Sequence, residues 1–291
     1  MRNADPGQPG TMPRQSGTLK GLSLHGFHRV AYYEWGAPDN PRVVICVHGL
    51  TRNGRDFDAL AEALAPTHRV LAVDMPGRGR SEWLRDPLDY GFPTYLTTLT
   101  ALIARAGVDD VDWVGTSMGG LLGIVVAAQP GTPIRRLVVN DVGPAIEPAA
   151  LQRIGTYVGA NPTFDSFAEC EQYIRTTFAT FGALESDQWQ ALTHASVAQN
   201  GEGRWILQYD PQIAVPFRAN PAPPDLWATW DAIRVPTLVL RGRDSDLLSA
   251  STALEMTRRG PRARLLEFPG VGHAPPLLSP AEIEPVLAFL A

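Results

Sequence analysis

The sequence predicts an α/β protein: a mostly parallel sheet with helices on both faces, interrupted by one inserted helical segment. Two observations carry this. Apolar runs of strand length alternate with longer helical patterns over residues 42–140 and again over residues 235–290. Between them, over residues 142–233, the alternation stops and helical patterns rich in aromatics are separated by Pro and Gly. With 291 residues, 44% of them hydrophobic, the chain can bury a sizeable core.

Residues 19–24 and 29–35 alternate apolar and polar side chains and read as an antiparallel pair. Next come a strand over 42–47, a helix over 54–64, a strand over 69–73 and a helix over 95–106. A strand over 111–115, a helix over 121–129 and a strand over 135–140 continue the series. Such alternation implies parallel strands joined by crossover helices. The insertion contains helical patterns at 151–158, 167–178 and 188–197. A strand over 235–241, a helix over 250–259, a strand over 263–268 and a helix over 280–290 complete the chain. The expected division is a disordered tail over 1–17, a core over 18–141 and 234–291, and a helical cap over 142–233 after the sixth strand.

Bulk properties exclude several classes. A net charge of −5 gives no electrostatic case for nucleic acid or an anionic membrane surface. No run of about 18 apolar residues predicts a transmembrane helix, and residues 1–17 lack the apolar block of a secretory signal. Cys46 falls in an apolar strand and Cys170 in a distant helix, so the two form neither a disulfide framework nor a metal site. There is no His-Glu-x-x-His or carboxylate cluster. The Pro76-Gly-Arg-Gly-Arg80 run lacks the Lys-Ser/Thr of a phosphate loop and reads as a turn after the fourth strand. A cytoplasmic protein with reduced thiols, no metal and no cofactor is expected, as a monomer or homodimer.

Gly115-Thr-Ser117-Met-Gly119 lies between a buried strand and a helix. A bare Gly-x-Ser-x-Gly match is weak, but this strand, turn, helix context is what a nucleophilic serine on a tight turn requires. Glycines on both sides allow a sharp turn that projects the Ser117 hydroxyl above the sheet edge. Serine is a poor nucleophile until a base takes its proton. Of the six histidines, His273 is the best candidate, because it sits in Gly270-Val-Gly-His273 just after the last strand. His25 and His28 flank an early turn, His68 precedes a strand, and His194 lies in the insertion.

With His48-Gly49, Asp74-Met-Pro-Gly-Arg-Gly-Arg-Ser81, Gly115-Thr-Ser-Met-Gly-Gly120, Asn140-Asp-Val-Gly-Pro144 and Gly272-His273, the chain resembles the α/β-hydrolase superfamily, and within it the small capped esterases, over nearly all of residues 18–291. The resemblance implies an α/β-hydrolase fold, a Ser-His-acid triad, a cap over the site and small-molecule ester substrates of apolar character. It implies that His48 is structural, and that the backbone N–H groups of Leu50 and Met118 form the oxyanion hole. The family's usual acid lies three residues after Gly242, where this chain has Ser245, bracketed by Asp244 and Asp246. Asp246, followed by two apolar residues and Ser, is preferred to Asp244. Some small esterases instead take the acid from an Asp-x-x-Pro sequence after the sixth strand, and Asp141-Val-Gly-Pro144 fits that. Asp246, slightly preferred, and Asp141 stay open as alternatives. Arg52 is expected in a surface salt bridge.

The resemblance implies a serine carboxylesterase working through an acyl-enzyme. The same triad could cleave a C–C bond, open a lactone or transfer an acyl group, and the scaffold could serve as a non-catalytic ligand receptor. Haloalkane dehalogenases and epoxide hydrolases are disfavoured, because an aspartate replaces the elbow serine in those relatives.

Overall fold

The computed structural model describes residues 14–219 and 225–291. In chain order the core begins with β1 (Gln15–Ser23), β2 (Gly26–Trp35), β3 (Val43–Val47), α1 (Asp58–Leu64), β4 (Arg69–Val73), α2 (Phe92–Ala106), β5 (Val111–Thr116), α3 (Met118–Ala127) and β6 (Ile134–Asn140). Then follow α4 (Pro148–Tyr157), β7 (Thr163–Phe164), α5 (Phe167–Thr177), α6 (Ser186–Ser196), β8 (Val197–Gln199), β9 (Trp205–Leu207), α7 (Ala214–Ala219) and α8 (Trp227–Ala232). The chain returns to the core with β10 (Thr237–Gly242), α9 (Ala250–Met256), β11 (Arg264–Phe268) and α10 (Pro280–Leu290).

The main sheet has eight strands in the order β1-β2-β4-β3-β5-β6-β10-β11. The β1–β2 and β2–β4 pairs are antiparallel and the others parallel. This is the α/β fold expected. Because β6 and β10 are neighbours, the segment between them leaves the sheet and returns beside the strand it left. Val43, Ile45 and Val47 of β3 feed one core with Leu99 and Leu102 of α2 and Leu122 and Ile124 of α3. Val44 and Cys46 feed the other with Leu60 and Leu64 of α1 and Val286 and Leu290 of α10. Every residue of β3 and β4 is buried, as a strand covered on both faces must be.

Three expectations need correction. Of the tail predicted over 1–17, residues 1–13 lie outside the described residues, but Gln15–Gly17 pair with Glu34–Tyr32 in β1. The Gly-rich, polar composition hid a ladder whose Gly17 leaves room for the Tyr32 ring. Helix α3 begins at Met118, directly after the serine, three residues before the predicted start. The insertion also contains a three-stranded sheet, β7-β9-β8, whose strands of two or three residues are too short to register as a period. Among the described residues no helix is long and apolar enough to cross a membrane.

Two buried polar residues knit the turns under the upper edge of the sheet. His48 donates from Nδ1 to the Gly49 carbonyl (2.6 Å) and accepts from the Met75 N–H at Nε2 (3.0 Å), which fixes one neutral tautomer. Asp74 accepts from the Gly54 and Arg80 N–H groups, each at 2.8 Å, and from the Tyr33 hydroxyl (3.1 Å). Burial pushes Asp74 up to about 6 and His48 down to about 3.

For His48 the folded value lies below the unfolded 6.5. Its contribution to stability is therefore fully present above about pH 6.5 and is lost as the pH falls toward the folded value. Burial lowers His28 and His68 in the same direction, and Asp74 acts oppositely, but all three cancel in a difference against a His48 variant. The stability advantage of wild type over His48→Gln should be flat above pH 7 and shrink by up to about 1.4 kcal/mol per unit between pH 6 and 4. Urea unfolding of both proteins at each pH measures this, and a flat difference would contradict the buried neutral imidazole.

Candidate active site

Ser117 stands at the junction of β5 and α3 with φ 53° and ψ −114°, a left-handed conformation unusual for a side-chain-bearing residue. Its surroundings enforce it. The Ser117 N–H bonds to the Asn140 carbonyl (2.9 Å) and its carbonyl receives the Leu121 N–H (3.0 Å). A Cβ on Gly115 would collide with the Gly119 carbonyl, and one on Gly119 with the Val47 carbonyl. The elbow therefore needs glycine at both positions.

His273 brings two distant segments together. Its Nδ1 lies 2.8 Å from Asp141 Oδ2, and its Nε2 lies 2.9 Å from Ser117 Oγ. A carboxylate oxygen accepts, so Nδ1 carries the proton, leaving Nε2 to accept from the serine hydroxyl. The His273 loop is itself tethered. Thr180 of the insertion donates from Oγ1 to the His273 carbonyl (2.6 Å), and the Gly272 N–H donates to the Thr180 carbonyl (2.7 Å).

Asp141 is fully buried at the end of β6, with φ 56°. Oδ1 accepts the Gly242 N–H (3.0 Å), while Oδ2 takes the Ser245 hydroxyl (2.6 Å) in addition to His273. Ser245, the residue standing where the family pattern has its acid, thus supports the aspartate instead. Sequence reasoning missed that role, although the departure at Ser245 was the signal. Asp246, the preferred alternative, faces elsewhere: its exposed carboxylate forms a two-pronged pair with Arg153 of α4 at 2.5 and 2.8 Å, which holds it below the usual carboxylate range. Asp244 is also exposed.

Leu50 and Met118 flank the serine from the His48-Gly49 loop and from the first position of α3. A Cβ on Gly49 would lie 3.7 Å from Ser117 Cβ, so this loop runs against Ser117. Arg78, fully buried, supports the loop from behind, donating from Nε to the Leu50 carbonyl (2.8 Å) and from Nη1 to the Tyr95 hydroxyl (2.8 Å). Among the described residues it pairs with no carboxylate. The cation is instead cradled by the rings of Tyr90 and Tyr95.

A cleft opens over Ser117 and His273, with about 740 Å³ of empty space out to solvent. The core contributes Leu50, Pro275 and Leu277, and the insertion contributes Ile154, Phe178 and Phe181. Arg52 is a cleft wall rather than a surface residue. It is 6% exposed, pairs with Asp56 through Nε and Nη2, and donates from Nη1 to Ser196 Oγ (2.6 Å). Of the other histidines, His25 pairs with Asp89, His194 stacks on Phe167, and His28 and His68 are buried away from the cleft walls. Cys46 and Cys170 are free and buried.

Comparison with known proteins gives the family. The model of the alpha/beta hydrolase family matches residues 44–286. The chain is 47% identical over 276 residues to a 3-hydroxybutyrate-oligomer hydrolase of Cupriavidus necator, covering 92% of this chain and 94% of the relative. A solved alpha/beta hydrolase from Novosphingobium aromaticivorans superposes with a TM-score of 0.84 at 36% identity, covering 94% of this chain and 98% of the other. A solved protein from Rickettsia typhi superposes with a TM-score of 0.89 at 31% identity, over 96% of this chain and 99% of the other. The chain belongs to the alpha/beta hydrolase family.

Proposed function

We propose that the chain is a serine esterase that cleaves carboxylic esters through an acyl-enzyme, and that its substrates include esters of short hydroxy acids, as the name of the 47% identical relative suggests. The observation that carries this reading is the bridge His273 makes between Ser117 Oγ and the buried Asp141 carboxylate. In this mechanism His273 Nε2 takes the hydroxyl proton as Ser117 Oγ bonds to the ester carbonyl carbon, and the carbonyl electron pair moves onto oxygen. Collapse of that oxyanion breaks the bond to the alcohol oxygen, which leaves with the proton from the imidazolium. Water then attacks the acyl-enzyme with His273 again as base, releasing the carboxylic acid and restoring Ser117. Asp141 holds the imidazole in the required tautomer and stabilises the imidazolium.

The backbone N–H groups of Leu50 and Met118 serve as the oxyanion donors. Met118 opens α3, so the helix N-terminus adds partial positive charge where the oxyanion forms. Residues 142–233 act as a cap, a reading supported by the side chains that α4, α5 and α6 contribute to the cleft. A cytoplasmic location, in which the thiols of Cys46 and Cys170 stay reduced, is part of the same reading.

Hydrolysis of p-nitrophenyl esters from acetate to decanoate tests the reading. Ser117→Ala and His273→Ala should each reduce kcat by about 10⁴-fold or more, and Asp141→Asn by about 10⁴-fold, whereas Asp246→Asn should stay within about threefold of wild type. Loss of activity with Asp246→Asn but not Asp141→Asn would overturn the assignment of the acid.

Ser245 supplies a finer check. Ser245→Ala removes one donor to Asp141 while leaving the Gly242 N–H and His273 in place, and should lower kcat by about tenfold, as expected for a hydrogen bond to a charged group. Ser245→Thr, which keeps the hydroxyl, should recover most of that loss. Equal activity in all three proteins would show that the bond does not orient the aspartate.

A further inference from the structure

The cleft over Ser117 does not end at Arg52. A second hollow lies on the far side, sharing Arg52, Tyr157, Thr177 and Phe178 as walls and lined beyond them by Ile174 and Leu207. Its Arg52 wall stands near Ser117. A Cβ on Gly49 would lie 3.7 Å from Ser117 Cβ and 3.8 Å from Arg52 Cγ, so the Arg52 stem stands within one residue's width of the serine.

The guanidinium of Arg52 forms the partition, with Cζ 4.8 Å from the Phe178 ring centroid. Of its five N–H donors, one each on Nε and Nη2 goes to Asp56 and one on Nη1 goes to Ser196. Among the described residues two of its N–H groups have no acceptor, which leaves them for a ligand. Because Asp56 neutralises the cation, a bound carboxylate would gain little from it and would still lose its hydration. A neutral acceptor such as an ester carbonyl suffers no such loss. Ile174, Leu207, Phe178 and the tyrosine rings give the hollow apolar surface suited to an alkyl segment, beside the hydroxyl-bearing Thr51, Thr177 and Ser196.

We propose that this hollow is a second subsite, which takes the ester-linked unit next to the one whose carbonyl Ser117 attacks, with Arg52 donating to the carbonyl of that neighbouring unit. Short oligoesters of hydroxy acids, uncharged along their length, fill both compartments; a simple ester fills only the first. The inference rests on the esterase reading of Ser117.

The test compares kcat/KM for the methyl-ester-capped linear trimer of 3-hydroxybutyrate with that for methyl 3-hydroxybutyrate. In wild type the trimer should be favoured by about tenfold or more, the ratio expected from about 1.4 kcal/mol of added transition-state binding. Ile174→Trp, which fills the hollow, and Arg52→Lys, which keeps the charge but loses the planar fork, should each bring the ratio toward one. A wild-type ratio near one overturns the subsite, and that measurement does not depend on any variant folding. A ratio unchanged in both variants, each shown folded by circular dichroism, overturns it as well. Absence of any Ser117-dependent turnover of the monomeric ester would overturn the esterase reading itself and this inference with it.

Discussion

The site depends on one buried carboxylate. Asp141 sits at the end of β6 with no exposure to solvent, and a carboxylate in that position is costly unless its oxygens are occupied. The fold occupies both: the Gly242 N–H at the end of β10 reaches Oδ1, while Ser245 and His273 reach Oδ2. Three loops, after β6, β10 and β11, therefore converge on one side chain. The parallel pairing of β6, β10 and β11 is what brings those strand ends to the same edge of the sheet. The serine arrives from the adjacent β5, with its N–H bonded to Asn140, the residue before the aspartate. Ser117 and Asp141 are thus fixed to one another through backbone rather than through long side chains.

The inserted segment is tied to the same machinery. Thr180 grips the His273 loop through two hydrogen bonds, and Asn53 and Arg52 of the loop beside the nucleophile reach Ala195 and Ser196 at the end of α6. Behind that loop, Arg78 carries a buried charge with no carboxylate beside it among the described residues, bonded to the Leu50 carbonyl. Its placement orders the strand-end turn that the proposed oxyanion donor belongs to.

Much of this was legible from residues. Strong apolar runs such as Val43–Val47 and Arg69–Val73 marked the buried strands, and the glycines around Ser117 marked the elbow, because no other residue fits against the Gly119 and Val47 carbonyls. The acid was harder. Asp141 and Asp246 both stand in loops at the strand ends, and local sequence carries no information about which one a histidine more than a hundred residues away, or close by, will meet. The two differ in burial and in Arg153, a residue of the insertion that pairs with Asp246 from outside. Ser245 was visible only as a departure from a pattern. The short strands β7, β8 and β9 and the early start of β1 escaped for a different reason: two or three residues cannot establish a period, and glycine-rich composition looks the same in a tail and in an edge strand.

The most direct measurement of the central claim is the proton spectrum of the His273 Nδ1–H. A hydrogen bond from imidazole to a buried carboxylate gives a far-downfield resonance that is shielded from exchange. The account predicts this resonance in wild type and in Asp246→Asn, and its loss in Asp141→Asn. A resonance that survives in Asp141→Asn and disappears in Asp246→Asn would contradict it, and would move the acid to the loop after β10.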